Sequence, residues 1–219
     1  MTEDELIDRH PTIWHMAADG GWPAIRQHGL LSVTRLLDLY GVAGPARHAI
    51  ESARRPQSVV LEAAGLPPAV VRDNKPMSDN GLLKCLQDGL TPADWYERLN
   101  TKSFFWVDRE RLDRLLAARA YASQPQTVLT LDTAAMLEEH RDTVRLSAIN
   151  SGQTLYVPQK RGNATFMRIG DFPDGGGRIG TPARPRIVEL VVEGGVPDVA
   201  RFVRRAERVF KGTAENLPL

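Results

Sequence analysis

Apolar positions in the first hundred residues recur at helical spacing. Trp22, Ile25, Leu30 and Leu31 predict a short helix closed by Gly29, and Val33, Leu36, Leu37 and Tyr40 predict a second that stops at Gly41. Pro45 suits the first turn of a third helix running to Arg55, which Pro56 breaks. Turn formers crowd residues 72–81, so that stretch is expected as an exposed loop. Thr91-Pro92-Ala93-Asp94 joins a capping hydroxyl, a proline at the first helical position and an early carboxylate, and the helix it opens carries Trp95, Tyr96 and Leu99.

Beyond residue 100 the texture changes. Residues 103–107 form a short apolar run, expected as a buried strand, and Asp108 is placed to cap a helix over 109–120 with Leu112, Leu115 and Leu116 as its apolar stripe. Strands are expected at 127–131 and 144–149, with a short helix at 133–139 between them. A glycine-rich stretch over 161–181, including Gly175-Gly176-Gly177, reads as loop. Residues 187–192 predict a final strong strand, and Pro197-Asp198 opens a predicted helix to about Phe210. The sum is α+β: one domain over 1–219, a small mixed sheet with a mainly helical elaboration over about 21–100.

Composition narrows the function classes. A formal net charge of +1 makes no global field that would announce a polyanion binder. Cys85 is the only cysteine, so an intramolecular disulfide is impossible, and its apolar neighbours predict a buried thiol. The acidic start Met-Thr-Glu-Asp-Glu-Leu lacks the apolar core of a secretory signal, and no run approaches the ~18 apolar residues of a bilayer span. A cytoplasmic location and no membrane partner are the expectation. No GxGxxG follows a strand, and neither a phosphate-binding P-loop nor a GxSxG elbow is present. The His, Cys and Asp residues show no metal-ligand spacing, so no metal is expected.

Several residues carry potential chemistry. Glu189 is an acid among Ile, Val and Leu, which fits either a solvent-facing strand position or a buried acid with a task. Arg109, at a helix start, fits an anion contact or an ion pair with Glu110 or Asp113. Arg72 stands in the polar loop as a second candidate cation. His15, between Trp14 and Met16, is either a core imidazole or a hydrogen-bonding ligand group. Asn150-Ser151-Gly152-Gln153-Thr154 serves a tight turn or offers Ser151, Gln153 and Thr154 to a ligand. Arg201, Arg204, Arg205, Arg208 and Lys211 make either the solvated face of an amphipathic helix or a track for a nucleic-acid backbone, which Arg161 and Arg168 could join.

Four of these segments, in order, resemble the ADP-ribosyltransferase fold, and DarT-type enzymes that modify single-stranded DNA in particular. They are Trp14-His15-Met16 with Gly29-Leu30-Leu31-Ser32; Phe104-Phe105-Trp106-Val107-Asp108-Arg109; Asn150 to Thr154; and Arg186-Ile187-Val188-Glu189-Leu190-Val191-Val192. The chain is similar, more closely, to an uncharacterised bacterial family distantly related to those enzymes. The resemblance implies NAD as the substrate that donates ADP-ribose. It implies that Glu189 stabilises the ribosyl cation, that Arg109, favoured for the aromatic strand before it, holds phosphate with Arg72 as the alternative, and that His15 contacts a ribose. Ser151, Gln153 and Thr154 would orient the nicotinamide ribose or amide, with Tyr156 or Phe166 stacking on nicotinamide. A single-stranded nucleic-acid acceptor and a toxin or defence role follow from the same analogy. Met16-Ala17 stands where the family carries a hydroxyl two places after its histidine. Two rivals are NAD hydrolysis, with water as acceptor, and a binding module that keeps the fold without the activity.

Overall fold

Local signals decide where most helices begin. The structure is a computed structural model and describes residues 1–155, 157–173 and 186–219. Tyr156 and Gly175-Gly176-Gly177 lie outside the described residues. In chain order the first elements are α1 (Glu3–Arg9), β1 (Thr12–Ala18), α2 (Trp22–His28), β2 (Leu30–Leu31), α3 (Val33–Leu39), α4 (Gly44–Glu51), β3 (Val59–Leu61), β4 (Ala69–Val71), α5 (Asp79–Leu83) and α6 (Pro92–Asn100). Then follow β5 (Lys102–Trp106), α7 (Arg109–Leu116), β6 (Gln126–Asp132), α8 (Thr133–His140), β7 (Val144–Ser147), β8 (Glu189–Glu193), β9 (Gly195–Val196), β10 (Val203–Phe210) and β11 (Thr213–Asn216). Thr91 caps α6 as its sequence predicts, with Thr91 and Asp94 exchanging backbone and side-chain bonds at 2.8 and 3.2 Å. Asp108 caps α7, its carboxylate accepting the Glu110 amide at 3.0 Å.

The architecture is α+β, built on a seven-stranded sheet of order β11-β10-β6-β1-β5-β8-β7. Every neighbouring pair in it is antiparallel, so the expected small mixed sheet is replaced by a large antiparallel one. Much of the difference comes from residues 197–210. They were expected as a helix, but a short 3-10 turn (Val199–Arg201) leads into strand β10, on which β11 then pairs. A β-bulge explains the misleading pattern. Val203 faces Leu131, while Arg205 faces Thr130, so one extra residue shifts the phase of the strand. Two-residue alternation broken by that insertion spaces Phe202, Val203, Ala206 and Val209 as a helix would.

Other boundaries moved as well. The third helix ends at Glu51, short of Arg55, and the 21–100 region includes the hairpin β3–β4 as well as helices. Residues 72–81 are not an exposed loop throughout: Arg72 is half-buried, Met77 is buried and α5 begins at Asp79.

One face of the sheet packs Ile13, Phe105, Leu129, Leu131 and Leu190 against Leu6, Trp22, Met136 and Leu137 of α1, α2 and α8. Opposite, Met16, Val128 and Val209 meet Leu112 of α7, with Trp14 and Trp106 alongside. A third cluster, Leu37, Tyr40, Ile50, Leu61 and Val71, ties α3 and α4 to the hairpin β3–β4. The turn after α2 is fixed by Gly29. Its φ of +89° suits glycine, and a Cβ there would stand 2.4 Å from the Pro197 carbonyl oxygen, so β2 lies directly on the segment carrying β9.

The sheet opens at one seam. β1 pairs with β6 along its whole length, from Thr12↔Asp132 to Ala18↔Gln126, yet it pairs with β5 only at Trp14↔Trp106. From His15 onward the β5-facing edge of β1 lacks a strand partner, and backbone groups there need other partners. That opening positions the site.

Candidate functional site

A cleft of about 590 Å³ lies along the seam, and its walls include His15, Arg72, Tyr121, Ser151, Gln153 and Glu189. Glu189 is the first residue of β8, paired with Trp106 on one side and Ser147 on the other. Its residue is only 7% exposed, so strand alternation does not turn it to solvent. The carboxylate accepts the Ser151 amide at 3.1 Å. Burial raises its pKa to about 7, against the opposing pull of the Ser151 hydroxyl and amide and of the Arg161 and Arg111 charges. The shift brings its titration close to neutral pH.

The loop beneath Glu189 is held rigidly. Asn150 closes an Asx turn, its side-chain oxygen accepting the Gly152 amide at 3.2 Å. Arg161 is buried, and its guanidinium donates to the carbonyls of Ser151 (2.7 Å) and Gln153 (2.8 Å) and stands 5.8 Å from the Trp95 ring centroid. The Trp95 indole N–H donates to the same Ser151 carbonyl at 3.2 Å. Arg161 is therefore a buried clamp and does not reach toward an incoming strand. The Ser151 hydroxyl is buried beside the Glu189 carboxyl. Thr154 faces away from the cleft: its amide donates to Pro76 O at 2.9 Å and its hydroxyl accepts the Ser78 amide at 3.0 Å, joining this loop to the start of α5.

His15 bridges the seam. Its Nδ1 lies 2.8 Å from the Phe104 carbonyl, which only accepts, so Nδ1 carries the proton and Nε2 is left as an acceptor. Burial, reinforced by the nearby Arg72 charge, pushes its pKa down to about 4 despite that hydrogen bond. A neutral imidazole of this tautomer can take a hydrogen bond from a ligand hydroxyl.

Arg109, the arginine the sequence favours, does not line the cleft, whereas the alternative, Arg72, does. Arg109 pairs with Asp113 at 2.8 Å on the exposed side of α7. Arg72 follows β4, and its Nη1 donates to the free Met16 carbonyl on the open edge of β1 at 3.1 Å. Its charge lies 4.9 Å from the Tyr121 ring centroid, and burial lowers its pKa. Among the described residues no carboxylate lies within ion-pair distance of it, so most of its N–H groups remain available to a ligand. Arg55 also lines the cleft, but it serves the backbone: it donates to the carbonyls of Ile50 and Arg72 and to the Asn100 side chain.

The chain matches, over residues 11–203, the model of a family of unknown function, DUF7002. It belongs to that family. No curated protein and no solved structure matches the chain. In this DUF7002 chain the remaining described sequence candidates lie away from the cleft. Phe166 stacks on Trp95 at 6.0 Å within the α5–α6 cluster, and Tyr156 lies outside the described residues. The basic row at β10 and the turn before it is ion-paired: Arg201 with Glu139 and Asp198, Arg204 with Asp132, Arg205 with Glu207, Arg208 with Asp19, while Lys211 stands over the Phe210 ring at 5.1 Å. No group of three or more His, Cys, Asp or Glu among the described residues could hold a metal ion, and no described helix is long and apolar enough to cross a membrane.

Tyr121 and the clamping role of Arg161 escaped sequence reasoning. Tyr121 is a lone aromatic in an alanine-rich stretch, a signal that could have flagged it. Arg161 carries no clear local signal, because most of its partners are backbone carbonyls of the Asn150 turn.

Proposed function

We propose that this chain binds NAD in the seam cleft and cleaves its nicotinamide–ribose bond, passing ADP-ribose to an acceptor. The observation that carries this reading is a buried Glu189 carboxyl on the same cleft as a neutral His15 and an unpaired Arg72. The C1′–N bond breaks with its electron pair leaving on neutral nicotinamide, and positive charge develops on the ribose. An ionised Glu189 under that ribose stabilises the cation, and a carboxylate already held by the Ser151 amide needs little reorganisation to do so. His15 Nε2 accepts from a ribose hydroxyl, and Arg72 forks onto the pyrophosphate oxygens. The nucleophilic oxygen or nitrogen of the acceptor then bonds to C1′ and loses its proton. Nucleic acid is the acceptor class that the DarT resemblance favours.

The test is incubation of the full chain with NAD labelled in its ADP-ribose half and a panel of single-stranded DNA, RNA and protein, following both covalent label and free nicotinamide. Label on one acceptor class is expected, together with loss of nicotinamide release in a folded Glu189→Gln variant. Nicotinamide release that no acceptor accelerates would assign hydrolysis instead. No release under any condition would sink the reading.

A further inference from the structure

Tyr121 lies just beyond α7, with only 8% of its surface exposed, on a wall common to two cavities. On one side is the seam cleft. On the other is a polar chamber of about 420 Å³ whose lining includes Gln57, Ser58, Lys75, Gln124 and Gln126. Arg72 lines both cavities and stacks its guanidinium on the Tyr121 ring at 4.9 Å. The phenol in turn is anchored, donating to Asp73 Oδ1 at 3.1 Å, and that carboxylate also accepts the Lys75 amide at 3.2 Å. The Asp73 amide donates to Ser58 Oγ at 3.1 Å, which fixes the segment after β4 from behind. Arg72 is thus gripped between an aromatic plate and the Met16 carbonyl while no carboxylate competes for its fork.

We infer that Tyr121 is a positioning residue: its ring orients the Arg72 guanidinium toward the diphosphate of a ligand in the seam cleft and closes that cleft off from the polar chamber. The inference rests on the proposal that Arg72 contacts a diphosphate. A guanidinium free to rotate would lose ligand affinity without changing the chemistry at Glu189, because the ring touches Arg72 and not the scissile bond. The cation–π contact supplies most of the effect, so phenylalanine should serve nearly as well as tyrosine.

Titration calorimetry of the full chain with ADP-ribose decides the matter, with melting temperatures confirming that each variant is folded. Tyr121→Leu, which keeps apolar volume but removes the ring face, should weaken ADP-ribose roughly tenfold. Tyr121→Phe should stay within about twofold of the parent. In an Arg72→Met background, Tyr121→Leu should add no further loss, because both substitutions remove the same contact. Nicotinamide release should show a raised KM for NAD in Tyr121→Leu with kcat held. Losses that multiply in the double variant, or a Phe variant as weak as Leu, would overturn the inference. Parent protein that binds ADP-ribose but never releases nicotinamide would defeat the NAD-cleaving proposal alone, the double variant still judging Tyr121. Parent protein that fails to bind ADP-ribose would overturn both, since Arg72 would then hold no phosphate.

Discussion

At the scale of single residues, Glu189 and His15 of the cleft are shifted in opposite directions, and both shifts link to stability. Glu189 rises from 4.5 to about 7, so between those values the folded chain keeps a proton that the unfolded chain has lost. Its contribution to stability therefore falls as pH rises through that window and is constant above it. His15 drops from 6.5 to about 4, so its contribution rises with pH between those values. The two nearly cancel in the parent between pH 4.5 and 6.5. Glu189→Gln removes only the falling limb, so the variant should gain on the parent as pH rises, by up to about 3 kcal/mol above pH 7. Urea unfolding at a series of pH values measures this, and a constant difference from pH 4.5 to 8 would contradict the buried carboxyl. Because the ionised form does the proposed chemistry, nicotinamide release should climb through about pH 7. Glu189 drew notice as an acid in an oily strand and His15 through the resemblance at Trp14-His15-Met16, and both line the cleft. The choice between Arg72 and Arg109 was not legible. It depends on the hairpin β3–β4 folding across the open edge of β1, a tertiary fact that no local pattern around either arginine encodes.

At the scale of elements, segments whose start is written in side-chain chemistry were the readable ones. Helix α6 begins where Thr91-Pro92-Ala93-Asp94 says it should, and α7 where Asp108 caps it. Strand β10 was misread because a bulge imitates a helical period, and whether such a segment pairs or coils is decided by β6 lying beside it. Between these cases stands the Gly29-Leu30-Leu31 turn, visible as a motif while its reason was hidden. Its reason is contact with the Pro197 backbone, which holds β2 against β9 and so ties the strand region of Glu189 to the one following α2. Gly29→Ala combines an unfavourable positive φ with a Cβ placed 2.4 Å from a carbonyl oxygen, so a loss of about 2–3 kcal/mol is expected. Chemical denaturation reads it directly. A change below about 0.5 kcal/mol would mean that the two segments separate without consequence.

For the whole molecule, the cleft exists because one antiparallel sheet parts between β1 and β5, bringing together residues from the first strand, the β4 hairpin and the start of β8. The α+β class was readable from the succession of helical and strand patterns. The seam was not, since it arises from strands that stop pairing after a single residue couple. Charge is distributed with equal consequence. The net charge is +1, and the basic side chains of β10 that sequence alone offers as a nucleic-acid track are each matched by a carboxylate. Arg208 engages Asp19 at 2.8 and 3.0 Å, and Arg204 engages Asp132 at 2.6 and 3.2 Å, leaving little uncompensated field along that strand. A phosphate contact on single strands adds about 0.7 to the slope of log affinity against log salt. If Arg204 and Arg208 made two such contacts, replacing both with Gln would flatten the slope by about 1.4. The ion pairing predicts instead that the Arg204→Gln, Arg208→Gln variant leaves the slope for a single-stranded oligonucleotide unaltered. Anisotropy titrations between low and physiological salt make the comparison. A flattened slope in the β10 variant would mean that these ion pairs open to meet a polyanion and would overturn the reading of the strand as charge-compensated.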